Sequence, residues 1–337
     1  MSFKVVATYE HPIRVLDKKA FEQIGVDFIQ KACNTEDEII AMAGDADAVV
    51  FLDELYTRRV VMSLKKCRLL VTPKVGVDTL DLTAATEQGI LVANAGEVCR
   101  EEVAEHTMAL LLACARKLLK LHKAAQDGLW TGLMCKEIRD LWPPMFRISG
   151  QTLGLVGFGK IARTVVSKAK GFGLKIIAYD PYIPEAVAKE LEVELVDWDR
   201  ILKESDYISL HAASTKENYH LLGLNEFKKM KPTAYVINTA RGQLIDEQAL
   251  YTALKEKYIA GAGLDVLETE FVCPDNPLLG LDNVIITCHS AHYSDNSFPL
   301  YSQVPVEEVA RIMRGELPKS LVNPQAIDKY QQKWGNH

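Results

Sequence analysis

The stretch "TLGLVGFGKIA" at 152–162 constrains this chain more than any other. An apolar run leads directly into Gly157-Phe158-Gly159-Lys160-Ile161-Ala162, and a helical pattern follows over 159–170, so the stretch reads as strand, tight turn and helix. In a G-x-G-x-x-A turn the first glycine permits the sharp change of direction. The second lets another group approach the main chain, and the small third residue lets helix and strand pack closely. The next apolar run, "LKIIAYD", ends in Asp180, about twenty residues on. Strands alternating with helices in this way belong to a parallel sheet covered on both faces.

Such a turn points the free N–H groups of its helix at one spot, and with the helix dipole they favour an anion such as a pyrophosphate. A carboxylate at Asp180 accepts hydrogen bonds from ribose hydroxyls, while its charge repels the 2′-phosphate that distinguishes NADP from NAD. "DPYIPE" at 180–185 carries no Arg to offset that repulsion, so the pattern selects NAD. Taken alone, the motif leaves open a glycine-rich turn without a ligand and an Asp that only ends a strand.

The alternation extends along the chain. "KVVATY" (4–9), "AVVFL" (48–52), "RLLV" (68–71) and "ILVAN" (90–94) read as strands, with helices predicted at 17–24, 35–43, 57–66 and 79–88. After 151 come "TLGLVG", "LKIIAYD", "YISLHA", "AYVINTA", "IAGAGLD" and "NVIITC", with helices predicted at 159–170, 185–191, 198–204 and 246–257. One long helix is predicted over 100–126, where apolar residues recur close to a helical period, and it reads as a core or dimer-interface helix. The stretch 127–150, with "WPP", reads as a connection, and 295–315 as a further helix.

A chain of 337 residues is long enough for two domains, and 48% apolar with 25% charged residues fits a soluble globular protein. The net charge of −6, with no basic cluster, sets nucleic-acid binding aside. The apolar run "MALLLACA" at 108–115 is too short to span a membrane, and "MSFKVVATYE" has no secretory-signal pattern. Seven Cys, an odd count with no C-x-x-C pair, indicate reduced thiols and a cytoplasmic location rather than disulfides or zinc. "TCHSAHYSD" places His289 and His292 three positions apart, a poor fit to known metal-ligand spacing, so no metal is expected.

Several further motifs stand in a familiar order: "KVGVDTLDL" (74–82), "EEVAEHTMALLL" (101–112), "VINTARGQLIDEQAL" (236–250), "GLDVLETE" (263–270) and "NVIITCHSAHYS" (283–294). With the glycine turn and "YDP" they resemble the D-isomer-specific 2-hydroxyacid dehydrogenases over nearly the whole chain. "EIRDLWPPMFRISGQTLG" and "HSAHYSD" look most like the branch of the C-terminal binding protein corepressors. The resemblance implies an α/β fold of two Rossmann-like or flavodoxin-like parallel-sheet domains. An NAD domain at 101–296 would be inserted into a substrate domain of 1–100 and 297–337, with the site in the cleft between them and a homodimer contact near the long helix.

The resemblance also implies roles. Arg241 would hold the carboxylate and carbonyl of a small 2-oxo or 2-hydroxy acid, because a planar guanidinium suits bidentate recognition. His289 would exchange the proton as hydride moves to or from the nicotinamide, with Glu270 orienting and charging its ring. Cofactor contacts would come from Val75, Thr107, Gly157, Gly159, Lys160, Ile161, Asp180, Ala212, Ala213, Asn218, Thr239, Ala240, Arg241, Asp265 and His289, with Asp265 on the nicotinamide carboxamide. Substrate contacts would come from Lys74, Val75, Gly76, Arg241 and His292, the last as a pocket wall rather than a second catalyst. Glu270 separates the chain from formate dehydrogenases, which carry glutamine there.

Four positions depart from the family pattern: Cys288 and Phe271 replace prolines, Ala213 replaces a proline of the adenine pocket, and Lys74 replaces an apolar residue or glycine. Lys74 reads as an anion contact or as a solvated loop lysine. Cys288 and Cys99 are expected to be small buried fillers flanking the site. The expected activity is that of an NAD-dependent 2-oxoacid reductase. The alternatives are an NAD(H)-sensing interaction protein of the corepressor type and a dehydrogenase of phosphite-type anions.

Overall fold

Most strands of this chain bury both faces under apolar side chains, the condition that selects parallel pairing beneath helices. A computed structural model describes residues 2–132, 135–270 and 273–335. Phe271, one of the departures noted above, lies outside the described residues, as do Leu133 and Met134 in the 127–150 connection. The chain divides into one unit of Met1–Cys99 with Tyr293–His337 and a second of Arg100–His292.

The first unit contains strands β1 (Lys4–Ala7), β2 (Asp27–Gln30), β3 (Ala48–Val50), β4 (Leu69–Val71) and β5 (Leu91–Ala93). They form a parallel sheet in the order β2-β1-β3-β4-β5, the flavodoxin-like winding. Val6, Val49, Leu70 and Val92 face one apolar layer, and Val5, Val50, Leu69 and Leu91 face the other, so side chains alternate across the sheet. Val309 and Ile312, from the helix Ser297–Met313, complete the second layer. At the end of the chain Asn323 accepts from Val92 N–H at 2.8 Å and donates to Ile90 O at 3.0 Å, docking the tail beside β5.

The second unit contains β6 (Thr152–Val156), β7 (Lys175–Tyr179), β8 (Glu194–Leu195), β9 (Tyr207–Leu210), β10 (Tyr235–Asn238), β11 (Gly261–Leu264) and β12 (Val284–Ile286). All pair in parallel in the order β12-β11-β10-β9-β6-β7-β8. This is the dinucleotide-type winding, whose direction reverses between β6 and β9. Ligands of such sheets sit beyond the carboxyl ends of the strands at that reversal.

The long helix expected over 100–126 is two helices, Arg100–Ala115 and Leu118–Gln126. The break is at Lys117, whose φ of 51° is left-handed. Its ammonium donates to Leu141 O and Pro143 O, both at 3.0 Å, so the kink fastens the following connection. Strands β2 and β8 and the helices Leu224–Lys229 and Ile327–Trp334 also went unpredicted. Among the described residues, no helix is long and apolar enough to cross a membrane, and no group of three or more His, Cys, Asp or Glu could hold a metal ion.

Candidate active site

Because every strand of the second unit runs the same way, the residues just past the strand ends gather on one edge of the sheet. Gly157 follows β6, Asp180 follows β7, His211 follows β9, Thr239 to Arg241 follow β10, Asp265 follows β11 and Thr287 to His289 follow β12.

Gly157 has φ +84°, and a Cβ on it would stand 2.7 Å from Ala212 N and 2.9 Å from Ala212 Cα. Both facts require glycine, because L side chains avoid this φ and the β9 loop occupies the space. Gly159 differs: a Cβ there would meet nothing within 4 Å. It is the N-cap of the helix Lys160–Gly171, which starts without a side-chain cap. Open space over an uncapped helix N-terminus fits a pyrophosphate. Lys160 is exposed and Ile161 half-buried at the same helix start. The Asp180 carboxylate accepts from Phe158 N–H at 2.8 Å and from Tyr182 N–H at 2.9 Å. It therefore locks the glycine turn while each oxygen keeps a further lone pair for a ribose hydroxyl. Burial pushes the imidazole of His211 down to about 4, so at neutral pH it adds no charge beside Ala212. Ala213 O accepts from Asn218 Nδ2 and Asn218 Oδ1 accepts from Thr215 N–H, both at 2.7 Å. The Asn218 amide thus closes its own loop.

The turn after β10 is built by Asn238, a residue not singled out above. Its side chain accepts from Ala240 N–H at 3.0 Å and donates to Arg241 O at 2.9 Å. This is the local bonding by which Asn favours turns. Arg241 Nη1 donates to Ala240 O at 2.7 Å, which orients the guanidinium. A Cβ on Gly242 would fall 1.8 Å from Leu267 O and 2.4 Å from Glu268 N, so the Arg241 turn rests directly on the segment that leads to Glu270. Gly242→Ala should therefore cost about 1–3 kcal/mol or more, as overpacking does. We expect a lower melting temperature together with reduced turnover, and an unchanged melting curve would show that the contact yields freely. Glu268 itself ties this segment to the β9 loop. Burial would raise its pKa, but hydrogen bonds from His220 and Tyr219, each at 2.7 Å, outweigh it and hold the carboxylate below its usual range.

Thr107 lies on the helix that packs beside the carboxyl edge of β10. It is fully buried, and its hydroxyl donates to Val103 O and meets Thr239 Oγ1, each at 2.8 Å. It thereby supports Thr239 at the edge of the sheet. Asp265 is 1% exposed, and its oxygens take Ser290 N–H and Ala291 N–H at 3.0 Å and the Thr287 hydroxyl. His106 Nε2 stands 3.4 Å away. Burial would raise the pKa of Asp265, yet these donors hold it well below the usual carboxylate range. The carboxylate is the anchor of the 287–291 turn.

That turn carries His289 in a left-handed conformation, φ +50°. Its Nδ1 lies 2.7 Å from Glu270 Oε2, leaving Nε2 for another partner. The His292 ring meets it edge-on, with centroids 5.8 Å apart. His289 thus lies against both Glu270 and His292, and the Glu270–His289 pair is the one that the family resemblance implies. Cys99 is buried, but Cys288 is exposed and is no core filler.

In the first unit, Lys74, Val75 and Gly76 lie in the loop after β4. Lys74 Nζ pairs with Asp53 at 2.7 Å, so its charge is already partnered. Val75 O accepts from Asn94 Nδ2 at 2.6 Å, and Gly76 is half-buried.

The family model described as D-isomer specific 2-hydroxyacid dehydrogenase, NAD binding domain, matches residues 108–291. The chain is 38% identical to a glyoxylate reductase of Korarchaeum cryptofilum, over 97% of this chain and 98% of the relative. It is 40% identical to a D-3-phosphoglycerate dehydrogenase of Methanocaldococcus jannaschii, over 86% of this chain but only 54% of that longer protein. Among solved structures, the NAD complex of a D-isomer specific 2-hydroxyacid dehydrogenase from Lactobacillus delbrueckii ssp. bulgaricus matches with a TM-score of 0.73 at 26% identity, covering 95% of this chain and 100% of the other. The names of these relatives are those of reductases and dehydrogenases.

Proposed function

The chain belongs to the D-isomer specific 2-hydroxyacid dehydrogenases, NAD-dependent oxidoreductases acting on a CH–OH group, and on that premise we propose that it reduces a small 2-oxo acid to the D-2-hydroxy acid with NADH. The observation that carries this reading is the His289–Glu270 pair at 2.7 Å on the carboxyl edge of the nucleotide sheet. NADH supplies the hydride when bound; Gly157, Gly159 and the helix start at Lys160 would hold its pyrophosphate, and Asp180 its ribose. Arg241 would fix the carboxylate and draw electron density toward the carbonyl oxygen. His289, kept in line by Glu270, would deliver a proton from Nε2 to that oxygen as it becomes an alkoxide, the step that general acid catalysis accelerates. In the oxidative direction the same nitrogen takes the proton back. His292, edge-on to the acid, would form a wall against the substrate's side chain.

Steady-state oxidation of NADH with glyoxylate, pyruvate and hydroxypyruvate tests this. Turnover of at least one, lost in Arg241→Ala, is expected. NADH binding without turnover of any 2-oxo acid would favour a sensor role, and NAD reduction by phosphite would favour the inorganic substrate class.

Two further assignments follow from the same reading. The Asp180 charge should exclude NADPH; Asp180→Asn keeps an acceptor and should move the kcat/KM ratio toward NADPH by about tenfold, the equivalent of ~1.4 kcal/mol. An unchanged ratio would mean that the discrimination lies elsewhere. Leu118, Leu119, Leu129, Trp130, Trp142 and Phe146 are exposed apolar side chains between the second half of the kinked helix pair and the strand β6. We assign them to a homodimer contact, for which light scattering should read the mass of two chains and Trp130→Glu should halve it.

A further inference from the structure

His106 stands on the helix Arg100–Ala115, beside the buried stripe of Val103, Ala104, Thr107, Met108, Leu110 and Leu111 but itself only half-buried. Packing of that helix does not call for an imidazole at this place. Its Nε2 is 3.0 Å from Thr287 Oγ1 and 3.4 Å from Asp265 Oδ1, across 181 positions of sequence in the first case.

The direction of these bonds can be assigned. An ionised carboxylate only accepts, so the Thr287 hydroxyl donates its single proton to Asp265 Oδ1. The Thr287 oxygen is then left as an acceptor, and the group facing it must carry a hydrogen. His106 therefore presents Nε2–H, in a chain from imidazole to hydroxyl to carboxylate.

The purpose of the chain lies in what Asp265 holds. Its backbone oxygen accepts from His289 N–H at 2.8 Å. Its carboxylate accepts from the N–H groups of the next two residues, Ser290 and Ala291, both at 3.0 Å. Successive N–H groups around a left-handed residue form an anion-binding nest, here filled by the protein's own carboxylate. A left-handed histidine is strained and persists only where its surroundings over-determine it. The nest does so from one side, and Thr287, bonded to both Asp265 and His106, fixes the turn's other end.

We propose that His106 is a positioning residue for the proton donor: through Thr287 it braces Asp265 and the 287–291 turn, and so fixes the aim of His289 Nε2. This rests on the assignment of His289 as the acid. An acid displaced by about 1 Å loses on the order of 10²-fold in rate while ground-state binding changes little.

The experiment compares His106→Leu, which keeps bulk and helical character but removes the donor, with His106→Gln, whose side-chain amide can supply an N–H in its place. For His106→Leu the expected result is a fall in kcat of roughly 10–100-fold, with KM and the NADH dissociation constant within a few-fold and a larger solvent deuterium isotope effect. His106→Gln should recover most of kcat. A kcat unchanged in His106→Leu overturns the proposal, as does a loss matched by weaker NADH binding and a lower melting temperature that glutamine does not rescue. A second readout does not need turnover. In ¹⁵N-histidine NMR spectra, His106 should be protonated at Nε2, and the His289 ring signals should move in His106→Leu but not in His106→Gln. If the protein turns over no 2-oxo acid yet the His289 signals respond in this way, the brace stands and the acid assignment falls. If the His289 signals ignore His106→Leu, the brace itself is wrong.

Discussion

His289→Asn is expected to lower kcat by about 10²–10⁴-fold while leaving NADH affinity within a few-fold, the usual measure of a lost general acid. Asparagine is the informative replacement, because it is polar, nearly isosteric with half the ring, and tolerant of the left-handed conformation that residue 289 adopts at φ +50°. A bulkier or β-branched residue would disturb the turn and confuse a chemical loss with a structural one. The neighbouring His292 offers an internal control. It meets the His289 ring edge-on, while it is His289 whose Nδ1 lies 2.7 Å from Glu270 Oε2. Changing it to Phe should alter which 2-oxo acid is preferred and spare the proton step. If His292→Phe destroyed turnover while His289→Asn kept it, the assignment of roles would be reversed.

Arg241→Lys should reduce kcat/KM by about 10²–10³-fold, the cost of removing a donor aimed at developing charge on an oxygen. The charge survives in this variant, so the loss isolates geometry. A guanidinium offers two parallel N–H groups to a carboxylate and can reach a carbonyl oxygen at the same time, whereas an ammonium acts as a point charge. The structure has already spent one of those groups: Nη1 donates to Ala240 O at 2.7 Å, which fixes the plane of the head group before substrate arrives. Lysine would lose that internal bond as well. Stopped-flow binding of NADH should change far less than kcat/KM. A lysine variant with near-native kcat/KM would show that Arg241 contributes only charge.

What was legible in the sequence follows a physical division. The glycine turn, Asp180, the "NTARG" turn and the histidine segment all lie within a few residues of a strand end, where local pattern and function coincide. Their gathering on one edge then follows from parallel pairing alone. Features set by non-local contacts were not legible. Lys117 is a good helix former, and nothing in the periodicity marks it as left-handed; its conformation answers to carbonyls at Leu141 and Pro143. Strand β2 is an edge strand with only Phe28 buried, so "DFIQ" lacks the apolar run that marked its neighbours. Thr107 and Asp265 were expected at the cofactor from motif register, but register places a residue on an element without saying which way its hydrogen bonds are spent. Both turned out to support a neighbour: Thr107 supports Thr239, and Asp265 supports the His289 turn. Asn238 could have been found, because an Asn between a strand and "TARG" is the usual chemistry of a strand-ending turn. The His106–Thr287 contact could not, since no local signal joins positions so far apart.

The central claim is a stereospecific reduction, and the product's configuration tests it most directly. Purified protein, NADH and a 2-oxo acid with a side chain, such as pyruvate or hydroxypyruvate, should be allowed to react and the 2-hydroxy acid resolved by chiral chromatography. The account predicts the D-isomer alone, formed in step with NADH oxidised and absent with Arg241→Ala. Formation of the L-isomer or a racemate, or oxidation of NADH without a 2-hydroxy acid, would contradict it.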